Sequence, residues 1–235
     1  MTGVQTCALP ISGGGTTDDG PSVTYNLGPK LSVPSRNDEQ VVEVAKLKLA
    51  PKFYYKAVPV LSRSVYRLAD LINTSELVLL PGEATMYQGT DFVGRMRMPL
   101  VAMGEEFTAG FGVDPQLQIQ RQMLDKLRTT QGGNQVLKYE YRILVSSYKK
   151  QAVKVQVWDR LPLSNETESA GVILAKVTPE VSKDGIYQRE HRPNNLLRWD
   201  LEVEPAMNGE NALAINYEFR LELDKMKVIH SLGSR

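Results

Sequence analysis

Histidine and cysteine, which often act as metal ligands or catalytic groups, are scarce in this chain. The two histidines, His191 and His230, are far apart in the sequence, and the one cysteine is Cys7. A zinc site needs three or four ligands, and a Ser-His-Asp triad needs a histidine held by an acid. The G-x-S-x-G nucleophile motif is absent from the sequence. We therefore predict no catalytic residue, no metal ligand and no bound cofactor, and interpret both histidines as structural or solvated.

Two carboxylate pairs could in principle act as a glycosidase acid and nucleophile. Glu202 and Glu204 would lie about 7 Å apart on one face of a strand, and an inverting glycosidase separates its carboxylates by roughly 6.5–9.5 Å. That face is the predicted solvent face, and the second pair is Glu105-Glu106. We interpret both pairs as solvated. A glycan-binding or carbohydrate-active protein would also need aromatic side chains along a groove, and the candidates are Tyr54, Tyr55, Tyr87 and Trp158.

Other short patterns are better explained by structure than by chemistry. Gly110-Phe111-Gly112 would need a following helix to cradle a phosphate, but a strand is predicted after it. Asn73-Thr74-Ser75 and Asn165-Glu166-Thr167 match the N-glycosylation triplet, which matters only in a eukaryotic secretory context. A charged stretch is usually a solvated loop, and we read in this way the residues Asp184, Arg189, Glu190, Arg192 and Asp200.

Composition is that of an ordinary soluble protein. The 235 residues are 42% hydrophobic and 23% charged, with a formal net charge of +1. This charge gives no general attraction to nucleic acid or to an anionic membrane. The sequence lacks an apolar run of about 18 residues, so we predict no membrane insertion.

The strongest structural pattern lies at 138–162. Tyr139, Tyr141, Ile143 and Val145 alternate with polar residues, and the valines of 153–157 do the same. Period-two alternation is typical of strands with one buried face. The pattern predicts a hairpin in which Val145 faces Val153. Trp158 falls on the polar face of its strand, and we predict that it lies near Leu144 and anchors an interface between two β regions.

Most of the remaining chain also predicts strands. Alternating segments occur at 41–49, 53–61, 76–80, 84–88, 92–98, 106–113, 116–123, 172–177 and 186–189. Segment 62–69 fits a helix or a strand, and we favour the strand. Segments 197–203 and 213–223 predict a second pair, joined by a bulge or by a loop longer than Asn208-Gly209, because a two-residue turn would put their apolar faces on opposite sides.

These elements predict an all-β protein with two tandem antiparallel β-sandwich regions. We expect a first region at 23–128, a linker at 129–135, an immunoglobulin-like sandwich at 136–226 and a tail at 227–235. Residues 1–22 are predicted to be a disordered leader. The stretch Met1–Ser12 lacks the basic and apolar regions of a signal peptide, and it resembles a translated sequencing adapter. We expect the natural chain to be longer, and we expect self-association through a sheet edge exposed by truncation.

Several motifs recur together in one family. They include Leu79–Gly82 (LLPG), Gly110–Asp114 (GFGVD), Val157–Pro162 (VWDRLP) and Arg198-Trp199-Asp200. In their order and spacing, the chain resembles the C-terminal domain of unknown function of mucoidy-inhibitor-A-like proteins. From Gln135 onward it also resembles the immunoglobulin-like modules of bacterial surface proteins.

The resemblance implies a non-enzymatic structural or protein-interaction domain, in a cell envelope or periplasm. Its partner would be another protein or an upstream region of the same protein. The family resemblance supplies no catalytic residues. A carbohydrate-active enzyme or glycan-binding module is the alternative.

Overall fold

A computed structural model of the chain describes residues 25, 41–131, 134–162 and 171–223. Within them the chain is mostly β-strand, which confirms the predicted all-β class. The strands form three sheets, numbered here in chain order.

One sheet has five strands and draws on both halves of the chain. Across the sheet their order is β10 (Leu196–Val203), β8 (Val153–Arg160), β1 (Lys52–Ala57), β2 (Val65–Ile72) and β5 (Glu106–Val113). Strand β1 pairs with β8 in parallel, while the other neighbours are antiparallel. The parallel pair joins a strand before the predicted linker to a strand after it.

A second sheet has four antiparallel strands. Their order is β6 (Leu117–Gln131), β7 (Asn134–Ser147), β11 (Leu213–Leu223) and β9 (Gly171–Thr178). The third sheet is a two-stranded arm of β3 (Gly82–Gln88) and β4 (Asp91–Met98). Apolar side chains of the five- and four-stranded sheets form one hydrophobic cluster, whose largest fully buried member is Trp199.

In the described residues, helical structure is limited to short turns. A π-helix covers Tyr187–His191, a 3-10 turn covers Arg192–Asn194, and another covers Gly209–Asn211. The strand predicted at 186–189 is therefore wrong. Its backbone turns back, with the Gln188 amide donating to the Asp184 carbonyl, 3.0 Å away, so the segment cannot run along a sheet.

Both predicted strand pairs are wrong in partner, although their strands form. Strand β7 pairs with β6 and β11, while β8 pairs with β1 and β10, so the apolar faces at 138–162 lie in different sheets. Strands β10 and β11 are divided in the same way. Their connection is longer than two residues, as predicted, and contains the turn at Gly209–Asn211. Alternation fixes which face of a strand is buried, but a strand beside it and a strand above it can bury that face equally well.

Other predictions divide clearly. The strands predicted at 84–88 and 92–98 are confirmed by β3 and β4, and the strand favoured at 62–69 is confirmed by β2. The strand predicted at 41–49 is wrong, because residues 41–50 are mostly exposed and pair with no strand among the described residues. Segment 76–80 makes only a single bridge, from Leu79 to Val101. Residues of the predicted linker belong to strands, because β6 runs through Gln131 and β7 begins at Asn134.

The leader at 1–22, the tail at 227–235 and His230 lie outside the described residues. Division into two folding units and the immunoglobulin-like assignment of 136–226 stay predictions.

Candidate functional site

The inner face of β8 carries a buried charge centre. Asp159 is 1% exposed, and its Oδ2 accepts a hydrogen bond of 2.8 Å from Arg121 Nε and one of 2.6 Å from the Tyr217 hydroxyl. Arg121 also donates to the Tyr217 hydroxyl at 2.9 Å. Its guanidinium lies 3.8 Å above the ring of Tyr141, which stacks on Tyr217. Because Asp159 belongs to one sheet and Arg121 and Tyr217 to the other, this centre links the two sheets.

Electrostatics hold that centre in one protonation state. Burial, and then the charge of Asp159, raises the pKa of Tyr217 above its ordinary value. Burial, the largest single influence, lowers the pKa of Arg121, but the charge of Asp159, the Tyr217 phenol and the hydrogen bonds to both together outweigh burial and raise it. The phenol therefore stays neutral and the guanidinium stays charged. A group of this kind, enclosed and fully engaged, offers no free acid or base to a substrate.

On the outer face of the same strand, Trp158 is half-buried among cations and aromatic rings. Lys56 Nζ lies 5.1 Å and Arg198 Cζ 5.5 Å from the centre of the indole. The rings of Tyr187 and His191 meet the indole nearly at right angles, at centroid distances of 5.9 and 5.3 Å. Trp158 thus contacts Lys56 of the first predicted region, but Leu144 lies in the other sheet, so the predicted Trp158–Leu144 proximity is wrong.

The segment 182–195, called the cap here, packs against part of this outer face. The Ser182 amide donates to the Arg198 carbonyl at 2.7 Å, which occupies part of the free edge of β10. Asp184 accepts from the Tyr187 amide at 2.8 Å, and Tyr187 is fully buried with its hydroxyl bonded to the Leu196 carbonyl. The charged residues predicted to be solvated are mostly exposed, and the segment that carries them is an ordered turn, which places His191 against Trp158.

The two-stranded arm presents an exposed aromatic pair at its tip. Tyr87 and Phe92 are 57% and 58% exposed, and their rings contact edge to face at 6.1 Å. Behind them Arg95 donates to Glu83 at 2.9 Å, and Arg97 lies opposite Glu83. Gly89, with φ of 64°, supplies the tight turn between the strands.

The base and side of the arm are fixed to the rest of the molecule. Asn73 is fully buried, and its amide nitrogen donates to the carbonyls of Leu77, which precedes β3, and Ala102, which follows β4. Along the side, the Gly110 amide donates to Met96 Sδ at 3.4 Å. A Cβ at Gly112 would lie 2.5 Å from the Val93 carbonyl oxygen, so only glycine permits this approach. The arm is therefore held in position at its base and along one side.

The carboxylate, glycine-rich and glycosylation motifs of the sequence do not come together in one site. Glu202 and Glu204 are exposed, as are Glu105 and Glu106, and Glu105 accepts from the Ala102 amide. The Gly110–Gly112 stretch lies within β5. Asn73 uses its amide nitrogen in buried hydrogen bonds, so it is unsuited to carry a glycan; Asn165 lies outside the described residues.

The aromatic residues proposed for a glycan groove are also dispersed. Tyr55 is buried and Tyr87 is at the arm tip, while Tyr54 and Trp158 are half-buried on the outer face. The indole of Trp158 already contacts two cations and two rings, so it offers little area for stacking on a sugar. These positions do not support the glycan alternative.

Four of the charged residues predicted near 190 to be solvated form ion pairs. Arg198 pairs with Asp200 at 2.9 Å and with Asp184 at 3.3 Å, while Arg189 pairs with its neighbour Glu190. The sequence analysis did not predict the buried charge centre of Arg121, Asp159 and Tyr217. The alternation of faces along each strand could have indicated it. Asp159 shares the buried face of Val155 and Val157, and Arg121 shares the buried face of Leu117 and Ile119.

Within the described ranges, no three metal-ligating His, Cys, Asp or Glu side chains lie together. In the same part of the chain, none of the helices is long and apolar enough to span a bilayer.

Comparison with known proteins adds a family but no activity. A family model described as a domain of unknown function, DUF4139, matches residues 6–223. The protein F37C4.5 of Caenorhabditis elegans is 22% identical over 199 residues, covering 79% of this chain and 34% of the worm protein. The chain thus spans about a third of the length of that relative. No solved structure matches the chain significantly.

Proposed function

This chain belongs to the DUF4139 family, and from that premise we propose that it acts as a non-enzymatic protein-interaction domain with β-sandwich architecture. The observation that carries the proposal is the exposed Tyr87–Phe92 pair, held at the tip of a fixed arm with Arg95 and Arg97 behind it. Tyrosine and arginine are enriched among the residues that dominate protein–protein binding energy. Two exposed aromatic rings side by side also provide area that a partner can remove from water.

Fixation of the arm supports the same proposal. Ordering a flexible loop on binding costs free energy, so a binding element that is ordered beforehand gains affinity. The clasp of Asn73 at the base and the contact of Gly112 with Val93 order the arm in the unbound chain. The partner is a protein or an upstream region of the same protein. A cell-envelope location, and membership of the mucoidy-inhibitor-A-like proteins, rest on the sequence resemblance, and the worm relative shows that similar chains occur outside bacteria.

A random-peptide display library is a suitable probe, because selected peptides bind where they can remove exposed apolar side chains from water. We expect peptides selected on the natural chain to lose at least about tenfold in affinity, or about 1.4 kcal/mol, for the double variant Tyr87→Ser/Phe92→Ser. Tyr148 is 51% exposed and lies far from the arm in sequence, so Tyr148→Ser is the matched control and should leave affinity unchanged. Both variants should keep the natural melting temperature, because the replaced rings are mostly in water. Peptides that bind the double variant as tightly as the natural chain, or that require Tyr148, would contradict the proposal.

A further inference from the structure

The two strands of the arm present one continuous exposed face. Side chains alternate along each strand, and the pairing of β3 with β4 puts six of them side by side in three cross-strand pairs. A bulge in β4 keeps Phe92 on the same face as Arg95. The six residues are exposed, whereas Met86 and Met96 on the opposite face are half-buried. The three pairs are Glu83 with Arg97, Thr85 with Arg95, and Tyr87 with Phe92.

This face carries more positive than negative charge. Of the arm residues that share it, Glu83 has the one carboxylate, while Arg95 and Arg97 each have a guanidinium. Arg95 pairs with Glu83 at 2.9 Å, but the two side chains are 66% and 65% exposed, so the pair is weak and an incoming group can compete for it. A guanidinium has five N–H donors, and one carboxylate cannot satisfy two such groups. The face therefore keeps donors for a further carboxylate.

A concavity of about 450 Å³ lies beside these charges. It is lined by Glu83, Arg95 and Arg97, together with Gly82 and Met96. Arg95 and Arg97 are two residues apart on one strand, or about 7 Å, so both border the same space. Guanidinium and carboxylate groups form strong, often bidentate, hydrogen bonds. The concavity thus has the room and the donors to receive an acidic side chain.

The aromatic pair favours a protein ligand over single-stranded nucleic acid. Bases bind by stacking on open ring faces along a positively charged groove. Tyr87 and Phe92 meet edge to face, with 70° between their planes, and so form one compact apolar patch. Glu83 on the same face would also repel a phosphate backbone.

We propose that the exposed face of the arm binds an extended acidic segment of a protein, whose carboxylates pair with the two arginines while an apolar side chain covers the aromatic pair. The inference rests on the proposed function and names the chemistry of its partner. Glu83 and Tyr87 are four residues apart in β3, or about 13 Å at the usual rise of a strand. An extended partner would therefore carry its acidic and apolar side chains about four residues apart.

Peptides selected from the random library on the natural chain are the probe, each compared with an analogue in which Asn and Gln replace Asp and Glu. We expect the selected peptides to contain acidic residues and to bind more weakly as the salt concentration rises. The uncharged analogues should bind at least about fivefold more weakly than the acidic peptides.

Variants of the chain show whether the arm supplies the complementary charge. Arg97→Gln should weaken the acidic peptides at least about fivefold and leave the affinity of the analogues unchanged. Arg189 is the matched control, because its side chain is 74% exposed and forms an ion pair on the cap. Arg189→Gln should change affinity less than about twofold. Both arginines are exposed, so both variants should keep the natural melting temperature.

The outcomes separate this inference from the proposed function. Peptides that need Tyr87 and Phe92, but bind equally well as uncharged analogues and to Arg97→Gln, would overturn the inference alone. Equal weakening by Arg189→Gln would do the same. Peptides that need neither ring would overturn the proposed function and the inference with it. A thymidine oligonucleotide that binds the natural chain more tightly than the acidic peptides would overturn the inference in favour of nucleic acid.

Discussion

Trp158 and Asp159 are adjacent in β8, and each lies on the face that hydrophobicity alone would give to the other. Asp159 is inside, 1% exposed, and Trp158 is outside and half-buried. Strand parity forces this exchange, because Val155 and Val157 fix the inner face and position 159 must follow them. A side chain then survives in its environment only if neighbours meet its needs.

The two faces meet those needs differently. Inside, Asp159 is matched by Arg121, Tyr217 and the Arg160 amide, which donates to its Oδ1 at 2.8 Å. Outside, Trp158 contacts the rings of Tyr187 and His191 and two cations, Lys56 and Arg198, and Arg198 also pairs with Asp184 and Asp200. The inner centre is therefore enclosed, whereas the outer contacts lie partly in water. Perturbing each face should separate a buried charge centre from a partly solvated one.

The largest effect is expected from breaking the inner centre. Asp159→Leu leaves the Arg121 guanidinium and the Tyr217 hydroxyl without their shared acceptor in a poorly solvated space. Removing one partner of such a pair costs about 3–5 kcal/mol. Urea unfolding followed by circular dichroism measures the loss.

Two further variants test the explanation. Adding Arg121→Met to Asp159→Leu removes the unpaired charge and should recover most of the stability, because replacing a whole buried pair is often neutral. Asp200→Asn removes a 41% exposed carboxylate from the outer face and should cost under about 1 kcal/mol. A loss for Asp159→Leu no greater than that for Asp200→Asn would refute the distinction between the faces.

The alternation of side chains along β8 made part of this arrangement predictable from the sequence. It places Trp158 on the outer face and, read one residue further, Asp159 on the inner face. It could not identify Arg121 and Tyr217 as the partners of Asp159, because they lie 38 and 58 residues away along the chain. That contact depends on which sheet each strand joins. The apolar faces of β7 and β8 fit a hairpin as well as two facing sheets. The long-range pairings of β8 with β1 and β10, and of β7 with β11, separate these arrangements.

The arm and the cap show the same division between local and long-range information. The hairpin of β3 and β4 was predictable, because Gly89 and the flanking alternation act within a few residues. The position of the arm was not, since Gly112 meets Val93 from another strand. The charged residues near 190 were predicted to be solvated and are mostly exposed, but the order of their segment was not predictable, because it comes from Ser182 and Tyr187 bonding to β10.

The two tryptophans differ in burial and should differ in their contribution to stability. Trp199 is fully buried, with its indole N–H bonded to the Pro179 carbonyl, so Trp199→Ala should cost about 3–5 kcal/mol. Trp158→Ala should cost only about 1–2 kcal/mol, because the ring is partly in water already. His191→Ala loses one ring contact and should cost about 0.5–1 kcal/mol. Denaturant midpoints measured under the same conditions give the order, and a Trp158 variant as unstable as the Trp199 variant would show that the cap belongs to the core.

The smallest effect is expected from Lys56, and its sign is the informative part. The folded pKa of Lys56 is lowered, by burial first and by Arg198 second, so the charged ammonium is less favourable in the folded state than in the unfolded one. Its penalty is fully present below the folded pKa and disappears as the pH rises through that value toward the unfolded pKa of about 10.4.

Lys56→Gln removes the penalty and should leave stability at pH 7 unchanged or raised by less than about 0.5 kcal/mol. As the pH rises toward 10.4, the natural chain should gain stability relative to the variant. A marked loss of stability in Lys56→Gln at pH 7 would mean that Lys56 is already satisfied in the fold, and the contrast between the two faces of β8 would then disappear.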